Sequence, residues 1–249
     1  MRYFLLVFVV LIGCGGWPKV EPAPRNDLTS EQSEAYRALA HQLSNYMNAR
    51  TSDLEVNLEL AAILEEVLLH VRAFEDEDWR RARTNFEQVF SAAKVPDKTI
   101  VTVMLERDAP YLSRWGAGEQ WSGEPMLDDL ISKYDIKVQP RGILVNDFFD
   151  LIVPREVNRY ALENLVAKAS GIGFPIPDLD LYAWGNGLHL GDSVLVRPDK
   201  RLCGWKLWIF VGWGDCPAGC INGRKYSFEI DTSGETRLAK VTGDPWEAM

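Results

Sequence analysis

The sharpest chemistry in this chain belongs to its 4 cysteines and 3 histidines. Cys216 and Cys220 stand in the segment Gly212-Trp213-Gly214-Asp215-Cys216-Pro217-Ala218-Gly219-Cys220-Ile221. Pro217 and Gly219 permit a tight reversal that brings the two thiols together. In an oxidising compartment a disulfide is the default, and closing a five-residue loop is worth roughly 2 kcal/mol on the chain-entropy account. Cys203 comes about 13 residues before Cys216. On a strand rising about 3.3 Å per residue it sits near the far end of a simple hairpin. The expected pair is therefore Cys216–Cys220, with Cys203 outside it, buried or as a thiol. A zinc centre needs a fourth ligand, for which His189 is the nearby candidate, and a redox dithiol favours C-x-x-C at a helix N-terminus. Neither pattern is met, so no metal and no cofactor is expected.

The remaining candidates read as structure. His70 has no Cys, His or acidic partner at a diagnostic spacing. The run Glu75-Asp76-Glu77-Asp78 suits a solvated helix start, where negative charge meets the positive end of the helix dipole. Asp178, Asp180, Asn186 and Asp192 do not follow the spacing of an EF-hand loop. Trp205, Trp208, Phe210, Trp213, Tyr226 and Phe228 could stack on a sugar or peptide, but they also suit a small β core with cross-strand pairs. On a strand Trp205 and Trp208 point to opposite faces. There is no G-x-S-x-G, H-E-x-x-H or Walker loop, and no catalytic residue is nominated.

At the N-terminus, Met1-Arg2 is followed by the apolar run Tyr3–Ile12. A helical span of a bilayer needs about 20 residues, so this run is too short to cross and fits the core of an export signal. The ending Leu11-Ile12-Gly13-Cys14 resembles the lipobox of bacterial lipoproteins. That resemblance implies a diacylglycerol thioether on Cys14, removal of residues 1–13 and attachment to the lipid bilayer through acylated Cys14. Two or more acyl chains hold a protein stably where one is marginal. Gly15 is not the Asp linked with inner-membrane retention, so the expected location is the cell envelope, extracytoplasmic, at the outer membrane in a Gram-negative cell. Residues 14–28, with the proline-rich stretch Pro18–Asp27, read as an extended tether.

Behind these residues lie the elements that must carry them. Thr29 with Gln32 forms a capping-box pattern, and Ser52 with Glu55 forms another. Helical periodicity predicts helices over about 30–49, 54–74 and 76–93. The middle reads β-α-β-β-α-β: strands at 99–106, 136–145, 147–153 and 172–176, with helices from Pro125 and after Asn158. This is the split βαβ order of ferredoxin-like folds. Four short strands follow, at 193–197, 204–211, 225–230 and 236–241, with a hairpin turn at Asp231–Gly234. The fold class is α+β: N-terminal helices (29–95), a ferredoxin-like βαββαβ module (96–178) and a C-terminal antiparallel hairpin sheet (179–249).

Pro125–Tyr134, Asn158–Leu165 and Gly171–Asp178 are similar to the helices and last strand of a module found in uncharacterised secreted bacterial proteins. That module looks like the propeptide-type inhibitors of subtilisin proteases. The resemblance implies a fold that packs on a protease and presents the segment after Asp178, although no subtilisin-type catalytic domain follows. The Gly-Asp-Cys-Pro-Ala-Gly-Cys string resembles one that recurs in the same exported proteins. Charge narrows the partners further. With 27 Lys+Arg against 36 Asp+Glu the net charge is −9, and no basic block is available to meet phosphates, so no nucleic acid is expected. The expected role is a non-catalytic protein-binding or interaction module. The alternatives are a protease-inhibitor-like module and a carboxylate-dependent hydrolase using two acids.

Overall fold

The computed structural model describes residues 16–49, 54–90, 94–104, 111–140, 148–170, 193–213 and 222–246. Three helices open the chain: α1 (Ser30–Met47), α2 (Leu58–Ala73) and α3 (Glu77–Phe90). The Thr29 box forms as expected. Thr29 Oγ1 accepts from the Gln32 N–H at 3.1 Å, and Gln32 Oε1 accepts from the Thr29 N–H at 3.1 Å. The second helix starts later than the Ser52–Glu55 pattern suggests. Asn57 is its cap, its side chain accepting from the Leu60 N–H at 2.9 Å, while Glu55 takes the Arg155 guanidinium at 2.8 Å. Ser52 lies outside the described residues. In the acidic run, Asp76 caps α3 by accepting from the Trp79 N–H at 2.9 Å.

The middle of the chain builds β1 (Thr99–Met104), the short α4 (Leu112–Gly116), α5 (Pro125–Lys133), β2 (Lys137–Pro140), β3 (Phe148–Val153) and α6 (Arg159–Ser170). The sheet order is β1-β3-β2 with antiparallel neighbours, Leu151 pairing with both Val101 and Val138. β1 and β2 are therefore parallel and flank β3, the arrangement of a split βαβ unit. The strand expected at 172–176 lies outside the described residues. Leu127, Ile131, Phe149, Leu151, Val153, Ala161 and Leu162 form this unit's core.

The last segment forms β4 (Ser193–Asp199), β5 (Gly204–Trp213), β6 (Asn222–Ile230) and β7 (Thr236–Gly243), an antiparallel sheet in sequence order. Its inner face buries Val194, Val196, Trp205, Leu207, Ile209, Tyr226, Phe228 and Ile230 in one cluster with α1, α2 and α3. Trp79 from α3 lies 5.0 Å from Phe228, ring to ring. The first helices and the last strands, far apart in sequence, thus share one core, and the middle unit branches from it.

The joint between the two cores is polar and well paired. Leu54, from the α1–α2 connection, is buried in the middle unit, and its carbonyl accepts from the Asn158 N–H at 2.7 Å. Asn158 is fully buried; its side chain caps α6 at Ala161 (3.0 Å) and donates to the Asn48 carbonyl (3.2 Å). Asn164 donates to the Ala49 carbonyl at 2.6 Å, and Tyr46 meets Tyr160 edge-on.

Candidate interaction face and N-terminal strap

Strand alternation sorts the aromatic residues into two groups. Trp205, Tyr226 and Phe228 are fully buried on the inner face, whereas Trp208 and Phe210 lie half-buried on the outer one. Register sets the outer face as rows across the strands. One row runs Leu195, Trp208, Ser227, Lys240; the next runs Arg197, Lys206, Glu229, Arg237; Phe210 and Lys225 lead the third with Thr242. Leu195, Trp208 and Phe210 make an apolar centre. Leu195 is 39% exposed. The Arg197 guanidinium lies 4.8 Å from the Trp208 ring centroid. The Phe210 ring lies across Gly223, where a Cβ would come within 2.1 Å of it. Trp213 instead stacks on Trp246 at 4.4 Å.

Cations surround that centre. Arg197, Lys206, Lys225, Arg237 and Lys240 face outward against the carboxylates of Asp199 and Glu229. Lys206 bridges Asp199 (2.7 Å) and Glu229 (3.3 Å), and Arg237 also binds Glu229. Hydrogen bonding to Asp199 raises the Lys206 pKa, and the same bond lowers that of Asp199. Burial acts to raise the Glu229 pKa, but its bonds to Arg237 and Lys206 outweigh it and hold the carboxyl low. Lys225, Lys240 and Arg197 are exposed. In a chain of net charge −9 this face is a local cationic exception.

The segment before α1 was expected to be a tether, and from Trp17 onward it is instead a docked strap. Trp17 stacks on Trp205 at 6.2 Å, and the buried Trp205 indole N–H donates to the Pro18 carbonyl at 2.8 Å. The Glu21 N–H donates to the Thr232 carbonyl. His70 Nε2 donates to the Glu21 carbonyl at 2.8 Å. The Ala23 N–H donates to Glu66 at 2.8 Å. Arg25 pairs with Glu65 and Glu66, and Asp27 pairs with Arg72 at 2.9 Å. Arg72, almost fully buried, also donates to Glu87 at 3.0 Å, and Glu87 accepts from the Tyr36 hydroxyl. The composition of this segment is that of a solvated linker. Backbone hydrogen bonds and ring stacking, which composition does not display, fasten it.

Of the residues singled out by sequence, Cys14, Cys216, Cys220, His189, Asp178, Asp180, Asn186 and Asp192 lie outside the described residues. His70 is a structural residue that packs on the turn at Gly234. Cys203 corrects an expectation: it is disulfide-bonded, and its partner lies outside the described residues. Cys203 occupies the β4–β5 turn with a φ of 47°. Sequence reasoning missed one pair, His41 with Glu156 at 2.9 Å, which ties α1 to the chain entering α6. Among the described residues, no group of three or more His, Cys, Asp or Glu is placed to hold a metal ion, and no helix is long and apolar enough to cross a membrane. No protein family, no curated protein and no solved structure matches this chain.

Proposed function

We propose that this protein is an extracytoplasmic lipoprotein of the bacterial cell envelope, held on the bilayer by acylated Cys14, whose folded body is a non-catalytic module that binds another protein. The lipobox-like Leu11-Ile12-Gly13-Cys14 supports the anchor. The outer face of β4–β7 carries the binding part of the proposal: a half-buried Trp and Phe and an exposed Leu at the centre, ringed by cations. Aromatic anchors with an Arg beside them are the composition of binding hot spots. The partner that fits is an acidic protein segment with an apolar residue to set against Trp208, because opposite charge steers encounter and fixes register.

Metabolic labelling with a palmitate analogue tests the anchor. Wild type should take up label and Cys14→Ser should not; equal labelling overturns it. A benzophenone amino acid at Lys225, with another at Met126 in the middle unit as control, tests the face in intact cells. Discrete adducts at 225 to a partner with an acidic segment, absent at 126, support it; no adduct at 225 contradicts it.

The β1-β3-β2 order with α5 and α6 favours a second reading, a protease-inhibitor-like module. Inhibition of subtilisin-like proteases by the mature protein would support it, and none at high micromolar concentration would remove it.

A further inference from the structure

We infer that the groove beneath the strap, between α2 and the β6–β7 turn, is a binding site for an extended proline-rich segment of a partner protein, with the strap as its resident occupant. The site uses none of the residues of the outer β4–β7 face, and it does not depend on Cys14.

The groove reads main chain. Trp205 Nε1 donates to the Pro18 carbonyl at 2.8 Å, and His70 Nε2 donates to the Glu21 carbonyl at 2.8 Å. The Thr232 carbonyl takes the Glu21 N–H at 3.0 Å, and Glu66 takes the Ala23 N–H at 2.8 Å. No strap side chain enters these bonds, so any extended chain with N–H groups at the positions of Glu21 and Ala23 can make them. The strap's own prolines, Pro18, Pro22 and Pro24, stand where no N–H is used. They stiffen the segment before it docks, which cuts the ordering cost. Side chains add selectivity: Trp17 lies on Trp205, Pro18 and Ala23 are buried, and Arg25 meets Glu65 and Glu66. Main-chain bonds for affinity, with pockets at spaced side chains for choice, are the terms of peptide recognition. The matching ligand has an aromatic-Pro start, a small residue six positions after the aromatic, and a cation two further along.

The receptor is built without the strap. Asp231 Oδ1 accepts from the Ser233 N–H (2.9 Å), the Ser233 hydroxyl (2.7 Å) and the Glu235 N–H (3.0 Å), which fixes the turn that presents Thr232. His70 belongs to α2 and packs against Gly234 of the same turn. Trp205 is held in β5 between β4 and β6. Ala23 alone of the strap belongs to the buried core cluster, with Trp17, Val20 and Leu28 packed at its margin. Lys19, Glu21, Pro22, Pro24, Arg25 and Asn26 are exposed. A segment with so little buried apolar surface opens at a fraction of the global unfolding free energy. Opening frees the Trp205 indole N–H and the Glu66 carboxylate for a new chain, and leaves Arg72 its bond to Glu87.

The test adds a fluorescein-labelled peptide of residues 16–28 to the full chain in detergent. The tethered strap competes at an effective concentration on the order of millimolar, so wild type should bind the peptide weakly. Trp17→Ala with Arg25→Ala loosens the strap, and anisotropy should then show binding about tenfold tighter or more. A peptide carrying Lys19→Ser, Glu21→Ser and Asn26→Ser should bind within about threefold of the first, since exposed ion pairs are worth little. An Ala23→Pro peptide, which lacks the N–H that Glu66 takes, should not bind. In wild type, excess peptide should speed amide exchange at Glu21 and Ala23 while α2 keeps its protection, a readout that needs no variant. No binding to the double variant, together with unchanged exchange in wild type, overturns the inference, as does equal binding of the Ala23→Pro peptide. A chain that light scattering finds as a dimer, and that excess peptide splits into monomers, assigns the groove to the strap of a second copy and overturns the partner.

Discussion

Trp205 joins three parts of the structure at once. Its ring is buried in the main core, stacks on Trp17, and donates to the Pro18 carbonyl. Trp205→Phe keeps most of the apolar area but leaves a buried carbonyl unpaired, at a cost of about 1–3 kcal/mol. The expected result is a lower urea midpoint, together with faster amide exchange at Glu21 and Ala23. Unchanged exchange there would mean that the strap is held without this bond. The carboxylates give a pH dependence with a definite sign. Asp199 and Asp231 are lowered chiefly by hydrogen bonds to Lys206 and Ser233 respectively, and Asp27 by its bond to Arg72. Groups with a depressed folded pKa stabilise the fold above their unfolded value, about 4, and lose that contribution as pH falls toward the folded one. Burial raises the Tyr226 hydroxyl. Its contribution is present below the unfolded value, about 10, and fades as pH rises through the higher folded one. Stability should therefore fall from pH 5 to pH 3 and again above pH 10. The double variant Asp199→Asn with Asp231→Asn should flatten the acid limb of a urea-midpoint profile.

At the scale of elements, local signals were legible where the chain itself supplies the partner. The Thr29 box, the Asp76 helix start, the Asn158 cap and the alternation of β5 all act over a few residues, and each is present in the structure. Thr29→Ala should cost about 1 kcal/mol, read by thermal unfolding. The start of α2 was misread because Ser52–Glu55 and Asn57 offer competing caps, and burial of Leu54 in the other core favours the later one. α4 is a helix of 5 residues, too short for any periodicity to register. Gly234 has a φ of +83°, with the His70 ring against it. Gly234→Ala should therefore strain the turn and displace His70, at about 1–3 kcal/mol, with exchange at Glu21 as the readout of the strap.

At the scale of the whole molecule the sequence was least informative. Periodicity marks which face of an element is apolar but not which element covers it. Nothing in residues 29–95 announces that their faces are covered by strands more than 100 positions later. The buried cluster joining α1–α3 to β4–β7 has a direct consequence. A fragment ending at Ser170 leaves the helices without the sheet, so the amides of α2 should lose slow exchange; retained protection would contradict the shared core. The proposed binding face follows the same logic. It assembles from β4, β5, β6 and β7 side by side, while each strand alone shows only one or two cations. Trp208→Ala should weaken binding of an acidic partner by roughly thirty-fold or more, the scale of a central aromatic anchor. Lys240→Ala, at the rim, should act mainly on association rate and salt dependence.

The account turns on the fate of the Cys14 sulfur, and peptide mass spectrometry of the protein taken from the cell envelope measures that fate directly. The account predicts an N-terminal peptide that begins at Cys14 and carries a diacylglycerol thioether. An N-terminal peptide that still holds residues 1–13, or one that begins at Cys14 without the lipid, would contradict it.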